Sequence, residues 1–230
     1  MITAWEIWSL KPSYSENLDL LFTSGVFVHK MWYSYVSDDY AIFPTIDPAT
    51  KIIRRSPINF IDYYSIGVSE SYTFNKLWWW NSYNNVTLYY IHKNATLSEA
   101  PPMIDKMSGN YMSQNDFLLN KKKTWMLNFG FYYELPHINS YYKVDSNYYF
   151  YMGVRTTLLN NKLSLSLRVN DIFKTYRMRE TMTSNGIRHQ NDNSSETTYL
   201  QFSMSYKIGN SLVKVKKHTT ATEKIRTRIK

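Results

Sequence analysis

The residues that could do chemistry are scattered. The five histidines stand at 29, 92, 137, 189 and 218, and no H-E-x-x-H occurs among them. A lone histidine in such a setting is most often a surface or lumen residue rather than a metal ligand. The seven glycines, at 25, 67, 109, 130, 153, 186 and 209, are never closer than 21 positions. No phosphate-cradling glycine loop can be built from that spacing, and G-x-S-x-G is absent too. There is no cysteine, which excludes a thiolate metal site and a disulfide framework. Asn191-Asp192-Asn193 is rich in oxygen ligands but lacks the glycine and distal glutamate of a calcium loop, so a polar loop tip is the better reading. Arg168 and Asp171 could pair on a polar face, where routine lumen polarity is preferred to catalysis. The chain is expected to be no enzyme, with no cofactor and no metal.

What the sequence does carry is alternation. Leu163-Ser164-Leu165-Ser166-Leu167-Arg168-Val169-Asn170 separates Leu and Val from Ser, Arg and Asn, and Leu200 to Ile208 repeats the pattern. Strict alternation is a strand with two opposite faces. In a soluble sheet a second layer must cover the apolar face; in an outer-membrane barrel lipid covers it and the polar face lines the lumen. The 230 residues include 17% aromatics, with 21 Tyr and 7 Trp, types that suit both sheets and membrane interfaces. No apolar run of about 18 residues exists, so no transmembrane helix is expected, a test that barrels escape. Met1 to Glu6 shows neither a basic nor an apolar leader region, and no signal peptide is read there.

Nine strands are expected, at about Glu16–Thr23, Val28–Tyr40, Asn59–Tyr72, Leu77–His92, Tyr111–Leu119, Thr124–Glu134, Tyr142–Leu159, Leu163–Lys174 and Ser195–Ile208. Short connections at Ser24-Gly25, Phe74-Asn75-Lys76, Asn120–Lys123 and Asn160-Asn161 alternate with long polar ones at about Ala41–Ile58, Lys93–Asn110, Leu135–Tyr141 and Thr175–Ser194. That alternation gathers every long loop at one end, as in outer-membrane barrels. Trp78, Trp79, Trp80, Tyr89 and Tyr90 fall near strand ends, where an aromatic girdle or ordinary cross-strand packing would place them. The fold class is therefore all-β: an antiparallel meander of about nine long strands forming part of a transmembrane barrel, an open, curved sheet with long loops at one end. Nine is odd, and an antiparallel ring closes without a parallel pair only when the number is even.

The formal charge of +9 is uneven. Seven Lys/Arg and one acid, Glu223, lie between Asn210 and Lys230, leaving +3 for the rest. A solvated tail is expected there, and no nucleic-acid partner, because the body has no basic stripe to match.

Asn161–Thr175, with Lys162–Phe173 and most specifically Asn170-Asp171-Ile172-Phe173, resembles the penultimate-strand motif of TonB-dependent outer-membrane receptors, closest to the outer-membrane β-barrel family common in Bacteroidetes. The segment Tyr199–Asn210, with Phe202, Met204, Tyr206 and Ile208, is similar to that family's last strand and is followed by a similar basic tail. Ile208 stands where the family usually has Phe, which would alter the signal read by the barrel-assembly machinery. Leu10-Lys11-Pro12 and Asn17-Leu18-Asp19-Leu20 resemble the segment that opens a central barrel strand, and Trp78-Trp79 falls where the family often carries Trp. The resemblance implies residues 1–15 as the remnant of a preceding strand or loop, 16–209 as the C-terminal part of a barrel of about 22 strands, and 210–230 as a periplasmic tail. It also implies a cell outer membrane location and transport of a scarce, unidentified nutrient. The partners implied are outer-membrane lipid, the plug and earlier strands of the same receptor, and through them the TonB energy-coupling system. The alternatives are a small self-contained porin or adhesin, with a tenth strand in Met1–Pro12, and a soluble aromatic-rich β-sandwich that binds glycans.

Overall fold

The computed structural model describes residues 10–46, 53–98, 100, 103–184, 187–193 and 196–208. The expected tail, 210–230, and the segment 1–9 lie outside them. Among the described residues no helix forms. Thirteen strands do: β1 (Tyr14–Ser24), β2 (Phe27–Ile46), β3 (Ile53–Leu77), β4 (Trp80–Ala95), β5 (Met103–Leu118), β6 (Trp125–Glu134), β7 (His137–Asn139), β8 (Tyr142–Val144), β9 (Asn147–Leu158), β10 (Leu163–Asn170), β11 (Met178–Ser184), β12 (Ile187–Asn193) and β13 (Tyr199–Tyr206).

Nine of these make one antiparallel sheet in sequence order, β1-β2-β3-β4-β5-β6-β9-β10-β13. β1 and β13 are its two outer strands and do not pair with each other, so the sheet is open. At one end the connections are tight. Gly25, with φ 60°, turns β1 into β2, as only a residue without Cβ does easily. Asn120 holds the β5–β6 turn, its Oδ1 accepting Thr124 N–H at 2.9 Å. Leu159, Asn160 and Asn161 all take positive φ in the β9–β10 turn.

The structure corrects several expected boundaries. Phe74-Asn75-Lys76 is not a turn but the end of β3; the chain reverses at Trp78-Trp79, with a bulge between Phe74 and Leu77. The expected long loops at Ala41–Ile58 and Lys93–Asn110 are mostly strand, because β2, β3, β4 and β5 run on past the alternating segments. β2 crosses a bulge at Asp38, φ 51°, and stays paired to β3 up to Ile46↔Ile53. Here the Asn59 amide reaches backward: it donates to Asp38 O and to Lys11 O at 3.0 Å, and accepts Lys11 N–H at 2.8 Å. The expected seventh strand divides: Tyr142–Val144 leaves the main sheet, which resumes at Asn147. The eighth stops at Asn170 and the ninth starts at Tyr199.

The other two expected loops, together with Tyr142–Val144, hold a second, four-stranded sheet, β12-β11-β8-β7. Asn191-Asp192-Asn193 is the end of β12 rather than a loop tip, and Asp192 lies 3.3 Å from the Arg179 guanidinium. The buried core sits at this loop end. Phe43, Phe60 and Tyr141 pack as a triangle with ring centroids 5.2–5.5 Å apart, with Ala41, Ile61, Ala100 and Met182 around them. The Tyr141 hydroxyl donates to the Ile42 carbonyl, and burial pushes its phenol well above the ordinary value. Lys93 Nζ reaches the Ser140 carbonyl at 2.8 Å and stacks over the Tyr63 ring at 4.8 Å, so a buried ammonium is met by a carbonyl and a π face.

Candidate membrane-facing surface

The register assigns every side chain of the main sheet to a face. On one face Leu20 sits opposite Met31, Met31 opposite Val68, and Val68 opposite Leu88. Farther along, Leu127 meets Val154, Val154 meets Leu167, and Leu167 meets Phe202. Most of these are exposed, Leu20 at 60%, Met31 at 56% and Phe202 at 65%, while Leu127 and Val154 are half-buried. A contiguous apolar face of this extent has no stable arrangement in water without a partner layer.

Rows of rings border the apolar band. At the turn end Phe27 lies 4.9 Å from Tyr72, Phe74 lies 4.7 Å from Trp80, and Trp80 stacks on Phe117 at 6.1 Å. Trp79, in the turn, stacks on both Trp80 and Phe117. At the loop end Tyr33, Tyr64 and Tyr90 follow one another at 6.3 and 6.1 Å. The eight steps from Tyr64 to Tyr72 along β3 span about 26 Å at about 3.3 Å each. Tilted by about 40°, that is about 20 Å of bilayer thickness, near the apolar band of such barrels.

Of the aromatic residues singled out in the sequence, the structure brings Trp79 and Trp80 together at one border and places Tyr90 at the other. Trp78 lies in the turn, 51% exposed. Tyr89 is on the opposite face, since it pairs with Gly67 and Ser108 while Tyr90 pairs with Ile66 and Met107. Phe202, Met204 and Tyr206 share the apolar face with Leu167, Leu165 and Leu163. Ile208 falls beyond β13, fully out in the open.

Several polar groups on the apolar face are answered within the sheet, although the buried Thr156 hydroxyl meets no partner. Trp80 Nε1 donates to Asn115 Oδ1, Asn115 Nδ2 to Ser113 Oγ, Tyr111 O–H to Asn84 Oδ1 and Asn84 Nδ2 to Ser82 Oγ, all at 2.9–3.0 Å. His92 Nδ1 and Tyr90 O–H both contact Asp105 Oδ1, the first at 2.6 Å. Internal satisfaction is what a hydrocarbon solvent demands.

The opposite face is polar and close-fitted. Asn85 Nδ2 donates to Ser69 Oγ at 2.8 Å and Ser71 Oγ at 2.9 Å. Gly67 lies under the Trp32 ring and Gly130 under the Tyr151 ring, where an added Cβ would fall 2.2 and 2.1 Å from ring atoms. The Arg168 guanidinium covers Tyr151 at 3.9 Å, and its Nη2 donates to Asn170 Oδ1 at 3.2 Å. Arg168 therefore does not pair with Asp171, as its sequence position allowed.

Asp171 has a different use. It is 1% exposed and takes φ 44°, a conformation Asp tolerates. Its carboxylate accepts Thr175 N–H at 2.9 Å, Thr175 O–H at 3.1 Å, Tyr176 N–H at 3.1 Å and the Thr197 hydroxyl. Its carbonyl accepts the Thr198 hydroxyl at 2.8 Å. Burial would raise this carboxyl; the hydrogen bonds from Thr197, Thr175 and Tyr176 outweigh it and hold the group below the ordinary value. One side chain thus ends β10, folds the following turn and ties it to the entry of β13. The alternation in β10 gave no sign of this; the one sequence signal is Asp171 with Thr175 four positions on, whose N–H and hydroxyl both reach the carboxylate. Ile172 N–H continues to the Phe150 carbonyl at 3.1 Å, and Phe173 meets the Phe150 ring edge-on at 5.4 Å. The Asn170–Phe173 motif is thereby accounted for as a structural corner.

A family model described as the outer membrane protein beta-barrel family matches residues 9–206. No curated protein and no solved structure matches the chain.

Proposed function

The chain belongs to the outer membrane protein β-barrel family, and from that premise we propose that it supplies the C-terminal barrel portion of a TonB-dependent receptor that admits a scarce nutrient. As an outer membrane barrel protein it turns the Leu20–Met31–Val68–Leu88 face to lipid and the Asn85, Tyr151 and Arg168 face to the lumen. The observation that carries the receptor reading is the nine-stranded antiparallel sheet whose outer strands, β1 and β13, are left unpaired with each other. Closing those two strands on one another would make a parallel pair in an antiparallel ring, whereas pairing them with further antiparallel strands satisfies both edges. The in-order resemblance from Leu10-Lys11-Pro12 to the terminal strand supports the same reading. Alone, the sheet would not transport, because lipid leaves each unpaired backbone group unsatisfied at several kcal/mol.

The test is an immunoblot of fractionated cells with an antibody to Lys214–Lys230. A band well above 27.4 kDa in the outer membrane is the expected result. A band at 27.4 kDa in that fraction would replace the receptor with a small self-contained barrel. The same band only in the soluble fraction would overturn the membrane reading altogether.

A further inference from the structure

At the turn end of the lumen-side face, the β5–β6 and β9–β10 turns and the exit of β13 enclose a cleft of about 370 Å³. Four cations line it: Lys123, Arg155, Lys162 and Lys207. No carboxylate lines it, and none of the four makes an ion pair among the described residues. Ser164 and Ser205 add hydroxyl donors. An anion entering the cleft would meet four cations and no carboxylate.

The backbone holds the cations in place. Lys123 takes φ 55°, and its N–H closes the turn on the Asn120 carbonyl at 3.0 Å. Lys162 follows three left-handed residues, and its N–H bonds Leu159 O at 3.1 Å. Lys207 N–H bonds Lys162 O at 2.8 Å, so those two side chains leave from adjoining strands. Arg155 Nε donates to Ser164 Oγ at 3.1 Å. Non-glycine residues in the left-handed region cost about 1 kcal/mol or more each, and here they set the cations around one space. The sequence after Lys207 adds more positive than negative charge, seven Lys/Arg and one Glu.

We infer that this cleft is an anion site that takes a phosphate group. Three or more cations with hydroxyl donors match the several acceptor oxygens of a phosphate better than the two of a carboxylate. The phosphate could come from a phospholipid headgroup at the rim or from a solute in the lumen. The lining comes from the two turns and from the turn ends of β5, β6, β9, β10 and β13.

The test uses the full chain refolded in detergent, titrated calorimetrically with inorganic phosphate, and in a second arm mixed with phosphatidylcholine vesicles with and without phosphatidylglycerol. Saturable binding in either arm supports the site, and the arm that responds names the source. Lys162→Gln with Lys207→Gln should weaken it roughly tenfold or more, Lys207→Gln alone by a part of that, and the two Lys→Arg changes should retain it. Lys121→Gln with Lys122→Gln, in the same turn but outside the cleft, should leave it unchanged. Absence of binding in both arms overturns the site. So does an equal loss in the Lys121/Lys122 variant, which would mean an adventitious ion only, held by net charge.

Discussion

The Asp171 carboxylate gathers four hydrogen bonds, from Thr175 N–H, Thr175 O–H, Tyr176 N–H and the Thr197 hydroxyl. Asp171→Asn keeps the shape but replaces one acceptor oxygen by a donor that faces donors. Leaving such buried groups unsatisfied costs about 1–3 kcal/mol. The expected result is a lowered denaturation midpoint together with faster amide exchange at Thr175 and Tyr176. A variant that exchanges like the native chain would remove Asp171 as the corner. The linkage has a definite sign. Because the folded carboxyl sits below its ordinary value, its stabilisation is present above the ordinary carboxylate range and is lost as pH falls through the folded value. Thr175 and Tyr176 should therefore lose protection on acidification in the native chain but not in Asp171→Asn. Gly130 makes a second residue-scale case. A methyl there meets the Tyr151 ring, so Gly130→Ala should cost about 1–3 kcal/mol by overpacking. Tyr151→Ala should absorb most of that cost in the double variant, as measured by urea denaturation of all three.

At the scale of elements, alternation carried the information wherever a strand separates two solvents. β10 runs from Leu163 to Asn170 as its Leu/Ser pattern indicated, and β6 and β9 largely follow theirs. Where strands leave that band the pattern ends, and so did the sequence reading. Ile53-Arg54-Arg55-Ser56-Pro57 has no two-faced period, yet it pairs with Ile42–Ile46. The three-residue strands β7 and β8 are too short for any period; the tertiary packing of Tyr141 and Met182 sets them. The aromatic rows were half legible. Tyr and Trp density near strand ends was visible, but the turn at Trp78-Trp79 shifted which rings meet, and Tyr89 fell on the other face. The two faces also make opposite predictions for one change. Leu88→Arg should disfavour insertion by about 2–4 kcal/mol, whereas Thr87→Arg, its neighbour on the polar face, should have little effect. Refolding into vesicles followed by tryptophan fluorescence reads both; equal effects would mean that the faces do not meet different solvents.

For the whole molecule the question is what satisfies β1 and β13. In β13 every second backbone group bonds β10, and the alternate groups point away from the sheet. The same holds for β1 against β2. Water or detergent headgroups can solvate such an edge, but lipid chains cannot, so in a bilayer both edges must be paired. Hydrogen exchange by mass spectrometry separates the possibilities. For the 230-residue chain alone in detergent, peptides covering Tyr14–Ser24 and Tyr199–Tyr206 should protect about half their amides, while the interior β4 is protected throughout. In native outer membranes, the same peptides should be protected as fully as β4, because neighbouring strands of a closed ring complete both ladders. Full protection already in the isolated chain would mean that β1 and β13 find partners within it, which favours a self-contained barrel over part of a larger one.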